Sequence, residues 1–465
     1  MNSGALNNAV IVTMNPGRDL LARGGIVWED GRIVFVGPSD EAGRAAGDRG
    51  LRPQDLHGAV VFPGLVNTHT HLFQNLLKGL GADLNLEDWW PQTIKPAAVC
   101  IEERHARAAA AGGMLEAIRS GTTTLVDYMY ALPDRGLSDV VIEQGLQTGI
   151  RLVYARGFRN TGAQHGFPVQ LIEQTDDVFE DVLRLRRQYE KPDGMVRLRV
   201  APAAIWALDG QGLRDTRGFA DETGIPLTMH MYETDTDNVV CRERYGAVDA
   251  LATFEEAGFL GPDLMAVHVV AVGDRELDAF SRQGVSVSHN PVANMYLASG
   301  TAPVPDMLAR GMQVGLGTDG AASNNGLDML ETLKTTALLH KVTTGDPTAM
   351  TAGRVLEMAT IGGARALGMD GSIGSLEVGK KADLFVLNPA CHGKSCPVHH
   401  PVATLVYSCG QDAVEKVVIE GRTILDKGVF LFQDEEQVCR TQQEMAVDLV
   451  RSADYPADFL APSEI

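Results

Sequence analysis

The segment VFPGLVNTHTH, residues 61–71, decides the fold. Its apolar residues predict a buried strand, and this strand ends at His69 and His71. Residues two apart on a strand point to the same side, so the two imidazoles can reach one ion. Imidazole nitrogen is a common ligand of Zn²⁺ and of similar metals. The segment therefore predicts a buried strand that carries two candidate metal ligands at its end.

Seven more short apolar runs follow this strand, and sequence that favours helices lies between them. The runs read TTTLVDYMY, RLVYARGF, RLRVAPAAI, PLTMHMYE, LMAVHVV, VSVSHNP and QVGLGTDG. Eight strands that alternate with helices predict an α/β fold, a (β/α)8 barrel of the TIM type, over residues 62–376.

Both chain ends are rich in short β runs joined by Gly and Asp-Gly turns. Examples are GGIVWEDGRIVFVG near the start and AVEKVVIEGRTILDKGVF near the end. Such runs are typical of β-hairpins. We expect residues 1–61 and 377–433 to meet in a small β-sandwich beside the barrel. Residues 434–465 predict a polar C-terminal helix and a tail.

The composition excludes several classes of partner. Of the 465 residues, 45% are hydrophobic and 22% are charged, as in a soluble globular protein. The formal net charge of −20 repels nucleic-acid phosphates and anionic lipid. No apolar run approaches the ~18 residues of a membrane span, and the six cysteines show no disulfide or zinc-ribbon spacing. We expect a cytoplasmic protein with no nucleic-acid and no membrane partner.

Ionisable side chains recur at the ends of the predicted strands, where barrels of this kind place their active sites. A single histidine there is more often a hydrogen-bonding residue than a metal ligand. In this chain, however, ionisable groups fall at five separate strand ends. Three neutral imidazoles and one carboxylate suit Zn²⁺ or a similar ion and leave a position open for water. The ionisable residues at the five strand ends are His69 with His71, His230 with Glu233, His268, His289 and Asp319.

Four motifs resemble the amidohydrolase superfamily, and within it the aminohydrolases and chlorohydrolases that use a single metal. In chain order they are PGLVNTHTH, HMYETD, SHNPVANMYLASGTAPVPDMLARG and GLGTDGAASNN. The resemblance covers nearly the whole chain and implies a homo-oligomeric enzyme that acts on a small-molecule substrate. It implies one divalent metal ion per subunit, Zn²⁺ first and Co, Mn or Fe as alternatives. The implied ligands are His69, His71, His230 and Asp319.

The resemblance also implies roles for two further residues. Glu233 becomes the proton shuttle, and His268 contacts the substrate or the attacking water. A bound Zn²⁺ lowers the pKa of its water toward ~7, so Asp319 can accept a proton from that water and Glu233 can protonate the leaving group. Binuclear relatives use a carboxylated Lys on the fourth strand. That strand reads RLRVAPAAI here and has no Lys, so we expect one metal.

Two departures argue against the substrate of the deaminases whose strand is nearly identical to HMYET. Methylthioadenosine and S-adenosylhomocysteine deaminases carry a His after Pro, which holds the purine, where this chain has Ala203. They carry a Glu before Trp, which holds the ribose, where this chain has Asp88 before Trp89. Loss of a buried hydrogen-bond partner costs ~1–3 kcal/mol. A purine nucleoside is therefore disfavoured by the sequence.

The favoured substrate is a small, largely apolar thiocarbamate, urea or amide. HTHLFQNLLKGLG and SGTTTLVDYMY are most similar to molinate hydrolase and the phenylurea hydrolases. Those relatives imply cleavage of a C–N or C–S bond at a carbonyl. Large side chains near strand ends, most of them aromatic, suit such a pocket, although each of them can equally pack between barrel and helices. They are Phe73, Trp89, Trp90, Met129, Tyr130, Phe158 and Trp206, with His289 as a weaker candidate.

Several alternatives stay open. A deaminase or chlorohydrolase of an aminopurine or s-triazine shares every catalytic residue, whereas a non-catalytic metal-binding protein leaves Glu233 without a purpose. Phenylurea enzymes carry Asn-x-His, so Asn67 competes for the first ligand position, and we favour the two histidines. Arg156 and Arg159 could hold a substrate carboxylate, but loop-anchoring ion pairs explain them better. His289 could instead bond loop backbone.

Overall fold

The two chain ends form one mixed sheet in the structure, a computed structural model that describes residues 2–453 and 455. Strand β5 joins the two halves, because it runs parallel to β1 and antiparallel to β14. The strands of this sheet are β1 (Gly4–Val12), β2 (Leu20–Glu29), β3 (Arg32–Pro38), β4 (Gln54–Asp55), β5 (Val60–Pro63), β14 (Leu384–Leu387), β15 (Val414–Ile419), β16 (Arg422–Asp426) and β17 (Val429–Phe430).

The sheet encloses its own apolar core. Ile26 and Trp28 of β2 share one buried cluster with Leu384 and Val418 from the other half. The Trp28 indole N–H donates to the Gly421 carbonyl at 2.9 Å and so joins β2 to the turn between β15 and β16. The expectation that both chain ends build one β structure beside the barrel is confirmed.

Eight parallel strands close into a barrel, which confirms the predicted fold class. β6 and β13 are hydrogen-bonded through Asn67 and Leu316, and this pairing closes the ring. The barrel strands are β6 (Leu65–Thr70), β7 (Thr122–Met129), β8 (Arg151–Phe158), β9 (Val196–Pro202), β10 (Leu227–Met231), β11 (Leu264–His268), β12 (Ser286–His289) and β13 (Val314–Leu316).

The segment of residues 61–71 divides at Gly64 into two strands that belong to different sheets. Phe62 and Pro63 pair with β14, so the barrel begins at Leu65 rather than at residue 62 as the sequence predicted. A Cβ atom on Gly64 would lie 2.0 Å from Oγ1 of Thr123. Only glycine permits this close approach of the chain to β7, and the apolar pattern of the segment gives no sign of the break.

Helices follow most barrel strands. Three of them, α5, α7 and α10, end at glycines with left-handed backbone, which only glycine adopts without strain. The helices are α1 (Ser39–Gly47), α2 (Leu86–Trp89), α3 (Lys95–Ala98), α4 (Glu103–Arg119), α5 (Leu137–Thr148), α6 (Thr175–Tyr189), α7 (Gly210–Thr223), α8 (Thr236–Val240), α9 (Ala250–Glu256), α10 (Asp274–Gln283), α11 (Pro291–Tyr296), α12 (Val304–Ala309), α13 (Ala321–Asn324), α14 (Met329–Thr344), α15 (Ala352–Glu357), α16 (Gly363–Ala366), α17 (Pro401–Ser408) and α18 (Glu435–Ser452).

The C-terminal helix α18 packs against α4. Arg119 pairs with Glu435 at one end, and Nε2 of His105 lies 2.8 Å from a carboxylate oxygen of Asp448 at the other. The predicted tail falls on residues 454 and 456–465, which lie outside the described residues. Within the described chain, every helix is too short or too polar to cross a bilayer.

Candidate active site

Five ionisable side chains meet at the carboxyl ends of the barrel strands. His69 lies in β6, His71 directly after it, His230 in β10, His268 at the end of β11, and Asp319 after β13. His268 and Asp319 have positive φ angles of 75° and 62°, a conformation that costs about 1–3 kcal/mol in a residue other than glycine. The sharp turns that these angles create aim the side chains into the mouth of the barrel.

His69, His71 and His230 form a compact group with Asp319. Oδ1 of Asp319 lies 3.3 Å from Nε2 of His71 and 3.4 Å from Nε2 of His69. Nε2 of His230 lies 3.3 Å from Nε2 of His71. The four predicted ligands therefore converge on one point, as metal ligation requires.

The hydrogen bonds of the imidazoles turn unprotonated nitrogen toward this point. Nδ1 of His71 donates to the Tyr128 carbonyl, and Nδ1 of His230 donates to the Ala203 carbonyl, both at 2.6 Å. A carbonyl only accepts, so each proton sits on Nδ1 and each Nε2 keeps its lone pair. Neither ring nitrogen of His69 has a hydrogen-bond partner, although both are buried. A divalent ion held by this group would satisfy one nitrogen of His69, together with Nε2 of His71 and of His230.

The charges of the group suit a cation. Burial, and then His69, lower the pKa of His71 to about 3, and the same two causes lower the pKa of His230 well below its usual value. Burial by itself raises the pKa of Asp319, but the neighbouring imidazoles, His69 first, hold that pKa well below its usual value. At neutral pH His71 and His230 are neutral and Asp319 is a carboxylate, the forms that bind metal.

Asn67 does not compete for the metal. Its Nδ2 donates to Oγ1 of Thr318 at 2.8 Å, and its Oδ1 accepts from the backbone N–H groups of His69 and Thr318. Asn67 thus ties β6 to the chain beyond β13, and the alternative that it replaces a histidine ligand finds no support in these contacts.

Glu233 lies beside this group as a second carboxyl. Its Oε2 is 3.4 Å from Nε2 of His268, and its Oε1 accepts from the Ser299 hydroxyl at 3.1 Å. Burial, and then the negative charge of Asp319, raise the pKa of Glu233 to about 8. The carboxyl is therefore protonated at neutral pH and can act as a general acid.

A cavity of about 640 Å³ opens above these residues. Trp89, Trp90, Tyr130 and Trp206 line it, as the sequence predicted, and they are joined by Phe167, whose ring stacks 5.3 Å from Trp206. These aromatic rings in the wall suit a flat ring.

Four of the predicted pocket residues lie elsewhere. Phe73 is buried behind Tyr130, with its ring edge-on at 5.0 Å. Nε2 of His289 lies 3.1 Å from Nε2 of His340, away from the cavity wall. Met129 and Phe158 pack in the main core. Strand-end position predicts these residues equally well as wall or as core, because the pattern does not show which side of the strand faces the mouth.

The two arginines after the third barrel strand have different partners. Arg156 pairs with Asp181 at 3.0 Å and with Glu173 at 2.6 Å, which is the anchoring that the sequence favoured. Arg159 instead lines the cavity, and none of the ion pairs among the described residues includes it. Its guanidinium lies 4.1 Å from the ring centre of Phe167, and its Nη1 is buried without a hydrogen-bond partner.

The acidic residue of the segment after β6 also differs from the expected one. Glu87 and Asp88 are both exposed, but only Glu87 lines the cavity. Sequence reasoning placed the acidic position directly before Trp89. The signal that could have found Glu87 is the acidic pair itself, since both residues precede the same tryptophan.

The sequence profile of the amidohydrolase family matches residues 60–424. This range holds the whole barrel and every residue of the site, so the chain belongs to the amidohydrolase family. It is an enzyme that acts on carbon–nitrogen bonds, and the superfamily assignment made from the motifs is confirmed.

Two curated relatives are similar over almost their full length. The 5-methylthioadenosine/S-adenosylhomocysteine deaminase of Syntrophobacter fumaroxidans is 38% identical over 434 residues, 93% of this chain and 95% of the relative. The 5′-deoxyadenosine deaminase of Methanosarcina acetivorans is 36% identical over 454 residues, 96% of this chain and 98% of the relative.

Two solved structures share the fold. An adenosine deaminase from Xanthomonas campestris with bound zinc has a TM-score of 0.88 and 29% identity, over 96% of this chain and 98% of the other. A mutant atrazine chlorohydrolase from Arthrobacter aurescens, complexed with zinc and atraton, has a TM-score of 0.89 and 25% identity, over 95% and 99%. Zinc in both structures agrees with the donor set found in this chain.

Proposed function

We propose that this enzyme is a metal-dependent deaminase that hydrolyses the amino group of a 6-aminopurine nucleoside. The observation that carries the proposal is Glu233, a buried carboxyl with a pKa of about 8 beside the metal-binding group. Such a group holds a proton at neutral pH and can give it to a ring nitrogen. The curated relatives named above are deaminases of adenosine derivatives, which supports the same reaction.

The reaction adds water and releases ammonia. Glu233 protonates the ring nitrogen next to the carbon that bears the amine, and the oxygen of water bonds to that carbon. Asp319 accepts a proton from the water, and the Nε2–H group of His268 donates a hydrogen bond to the added oxygen. The bond from carbon to the amine then breaks, and the amine takes the proton held by Asp319 and leaves as ammonia. The added oxygen gives its remaining proton to Glu233, and the carbon keeps the oxygen as a carbonyl.

His69, His71, His230 and Asp319 would hold one divalent ion. When bound, this ion supplies hydroxide at neutral pH by lowering the pKa of water to ~7. We propose Zn²⁺, and Co²⁺, Mn²⁺ or Fe²⁺ fit the same donors.

The cavity suits a nucleoside better than the sequence suggested. Glu87 lines the cavity and can accept hydrogen bonds from ribose hydroxyls, a role that is closed to Asp88 because Asp88 does not line the cavity. Trp206 and Phe167 offer flat surfaces for a base. Ala203 still replaces the expected histidine, so the base loses one polar contact at that side.

Thiocarbamate or urea hydrolysis, favoured by the sequence, finds no support in these relatives. The second candidate is removal of a substituent from an s-triazine. Two observations favour it, the apolar Ala203 in the wall and the similarity to atrazine chlorohydrolase.

Turnover of the Zn²⁺-loaded enzyme on a mixed panel tests the proposal. The panel holds adenosine, 5′-deoxyadenosine, methylthioadenosine, melamine, a thiocarbamate and an arylurea, with released ammonia and released amine measured separately. We expect ammonia from the adenosine derivatives. Ammonia from melamine alone would favour the triazine reaction. Amine without ammonia from the thiocarbamate or arylurea would refute deamination. Metal content without turnover of any compound would refute both candidate reactions. We also predict a homo-oligomer, and light scattering of the purified protein tests this prediction.

A further inference from the structure

His268 differs from the metal-binding histidines in the partner of its Nδ1 atom. Nδ2 of Asn294 lies 3.0 Å from this nitrogen, and Nδ2 of Asn290 lies 3.4 Å from it. An amide NH₂ group only donates, so Nδ1 of His268 accepts and carries no proton. A neutral imidazole has one proton, which in His268 then sits on Nε2. His71 and His230 face carbonyl oxygens and show the opposite arrangement.

By position alone, His268 could be a ligand. One ring nitrogen each of His69, His230 and His268 lie within 4.8 Å of one another, a spacing that fits a single ion. The rings of His230 and His268 also stack at 5.5 Å. What separates His268 from the ligands is therefore the location of its proton and not its distance from the site.

The orientation of the Asn290 amide follows from its surroundings. The Ser288 hydroxyl donates to Oδ1 of Asn290 at 3.3 Å, so the NH₂ group of Asn290 faces His268. Asn294 lies one helical turn further on in α11 and is buried. Its Nδ2 faces the same nitrogen of His268, while its Oδ1 has no hydrogen-bond partner among the described residues.

We propose that Asn294, assisted by Asn290, keeps His268 out of the coordination shell of the metal by fixing its proton on Nε2. Asn294 is then a positioning residue that turns a histidine in ligand range into a hydrogen-bond donor toward Glu233 and the reacting oxygen. The inference rests on the metal site of the proposed function and not on the identity of the substrate.

The same turn also controls the second proton-handling group. The backbone N–H of Ser299 donates to the Asn294 carbonyl at 2.8 Å, and the Ser299 hydroxyl donates to Glu233. One short segment after β12 therefore sets the proton of His268 and the orientation of Glu233 together.

Asn294→Asp tests the inference, because a carboxylate accepts where the amide donates. The substitution moves the proton of His268 to Nδ1 and frees the lone pair of Nε2. We expect His268 to enter the coordination shell of bound Co²⁺, and the visible absorption of the Co²⁺ protein to fall several-fold as the coordination number rises. Spectra are compared with the wild type at several pH values between about 7 and 9, so that the new carboxyl ionises.

The double variant Asn294→Asp with His268→Ala is the matched control. It keeps the added charge but lacks the imidazole, so its spectrum should return to that of the wild type. A spectrum of Asn294→Asp that matches the wild type at every pH would overturn the inference. So would a double variant that keeps the altered spectrum. Failure of the wild type to bind Co²⁺ would instead refute the proposed metal site.

A measurement on the unaltered chain covers the case in which Asn294→Asp does not fold. Long-range ¹⁵N–¹H spectra of the Zn²⁺-loaded protein report which nitrogen of each neutral histidine is protonated. Signals of His268 are identified by their loss in His268→Gln. We expect His268 protonated on Nε2 and His71 and His230 protonated on Nδ1. A proton on Nδ1 of His268 would contradict the proposal.

Discussion

Replacement of Glu233 by Gln isolates the proton that this residue supplies. Glutamine has nearly the same volume, and its amide oxygen still accepts from Ser299. The pKa of about 8 makes Glu233 neutral at pH 7, so Glu233→Gln exchanges one neutral group for another. We therefore expect a change of less than ~1 kcal/mol in the free energy of unfolding, since no charge is removed from the buried site.

The rate should change far more than the stability. General acid catalysis contributes about 10²–10⁴ in rate, so kcat of Glu233→Gln should fall by that factor, or ~3–5 kcal/mol in barrier height. Glu87→Gln is the matched control, because it alters a second Glu in the same cavity. It should raise KM for a nucleoside and leave kcat within about tenfold, as expected for a group that binds but does not react.

The pH profile gives a second reading of the same substitution. The reactive form of Glu233 is the protonated one, so the wild-type rate should decline as pH rises through its pKa. A bound divalent ion lowers that pKa, which places the decline at or below pH about 8. Glu233→Gln should lose this alkaline decline. A variant with kcat within tenfold of the wild type, or one that keeps the decline, would refute the role of Glu233.

Three further predictions concern other parts of the molecule. Arg159→Met should lower kcat/KM for S-adenosylhomocysteine, which carries a carboxylate, by about tenfold or more relative to methylthioadenosine. The reason is that a hydrogen bond to a charged group is worth ~1.5–3 kcal/mol. Equal losses for both substrates would contradict this prediction. Removal of the metal by a chelator should abolish turnover and lower the Tm. Addition of Zn²⁺ at about 100 times its Kd should restore ~2.7 kcal/mol to the free energy of unfolding. A Tm that does not change with Zn²⁺ would count against the metal site. Arg151→Met should lower the free energy of unfolding in urea by about 3 kcal/mol, because the buried Asp383, 3.0 Å from Arg151 at the contact between barrel and sheet, loses its cation. An unchanged urea midpoint would refute this prediction.

The barrel could be predicted because its evidence is local. Each strand is a short apolar run, and five of the eight runs end at ionisable residues. These strand ends gave the candidates, the family resemblance implied His69, His71, His230 and Asp319 as the ligands among them, and the structure brings these four together. The break at Gly64 could not be found, because the residues on both sides of it are equally apolar and only their sheet partners differ.

The choice between Glu87 and Asp88 shows a different limit. Neighbouring residues of a helix point about 100° apart, so one of two adjacent acids faces the cavity and the other faces water. Which of them faces inward depends on where α2 begins, and Asn85 sets that start by capping the helix through the Asp88 N–H. The sequence contained the cap, but not the direction of the cavity relative to it.

The histidines show the limit most clearly. The sequence placed His71, His230 and His268 at strand ends, and nothing in these positions separates ligand from proton donor. The structure separates them by what each Nδ1 faces: a backbone carbonyl for His71 and His230, and side-chain amides for His268. A carbonyl leaves Nε2 free to bind a cation, and an amide leaves Nε2 with a proton to offer. The partner of Nδ1 thus decides whether Nε2 of the same histidine binds the metal or donates a proton. A search for catalytic roles in this family should therefore include the partners of Nδ1.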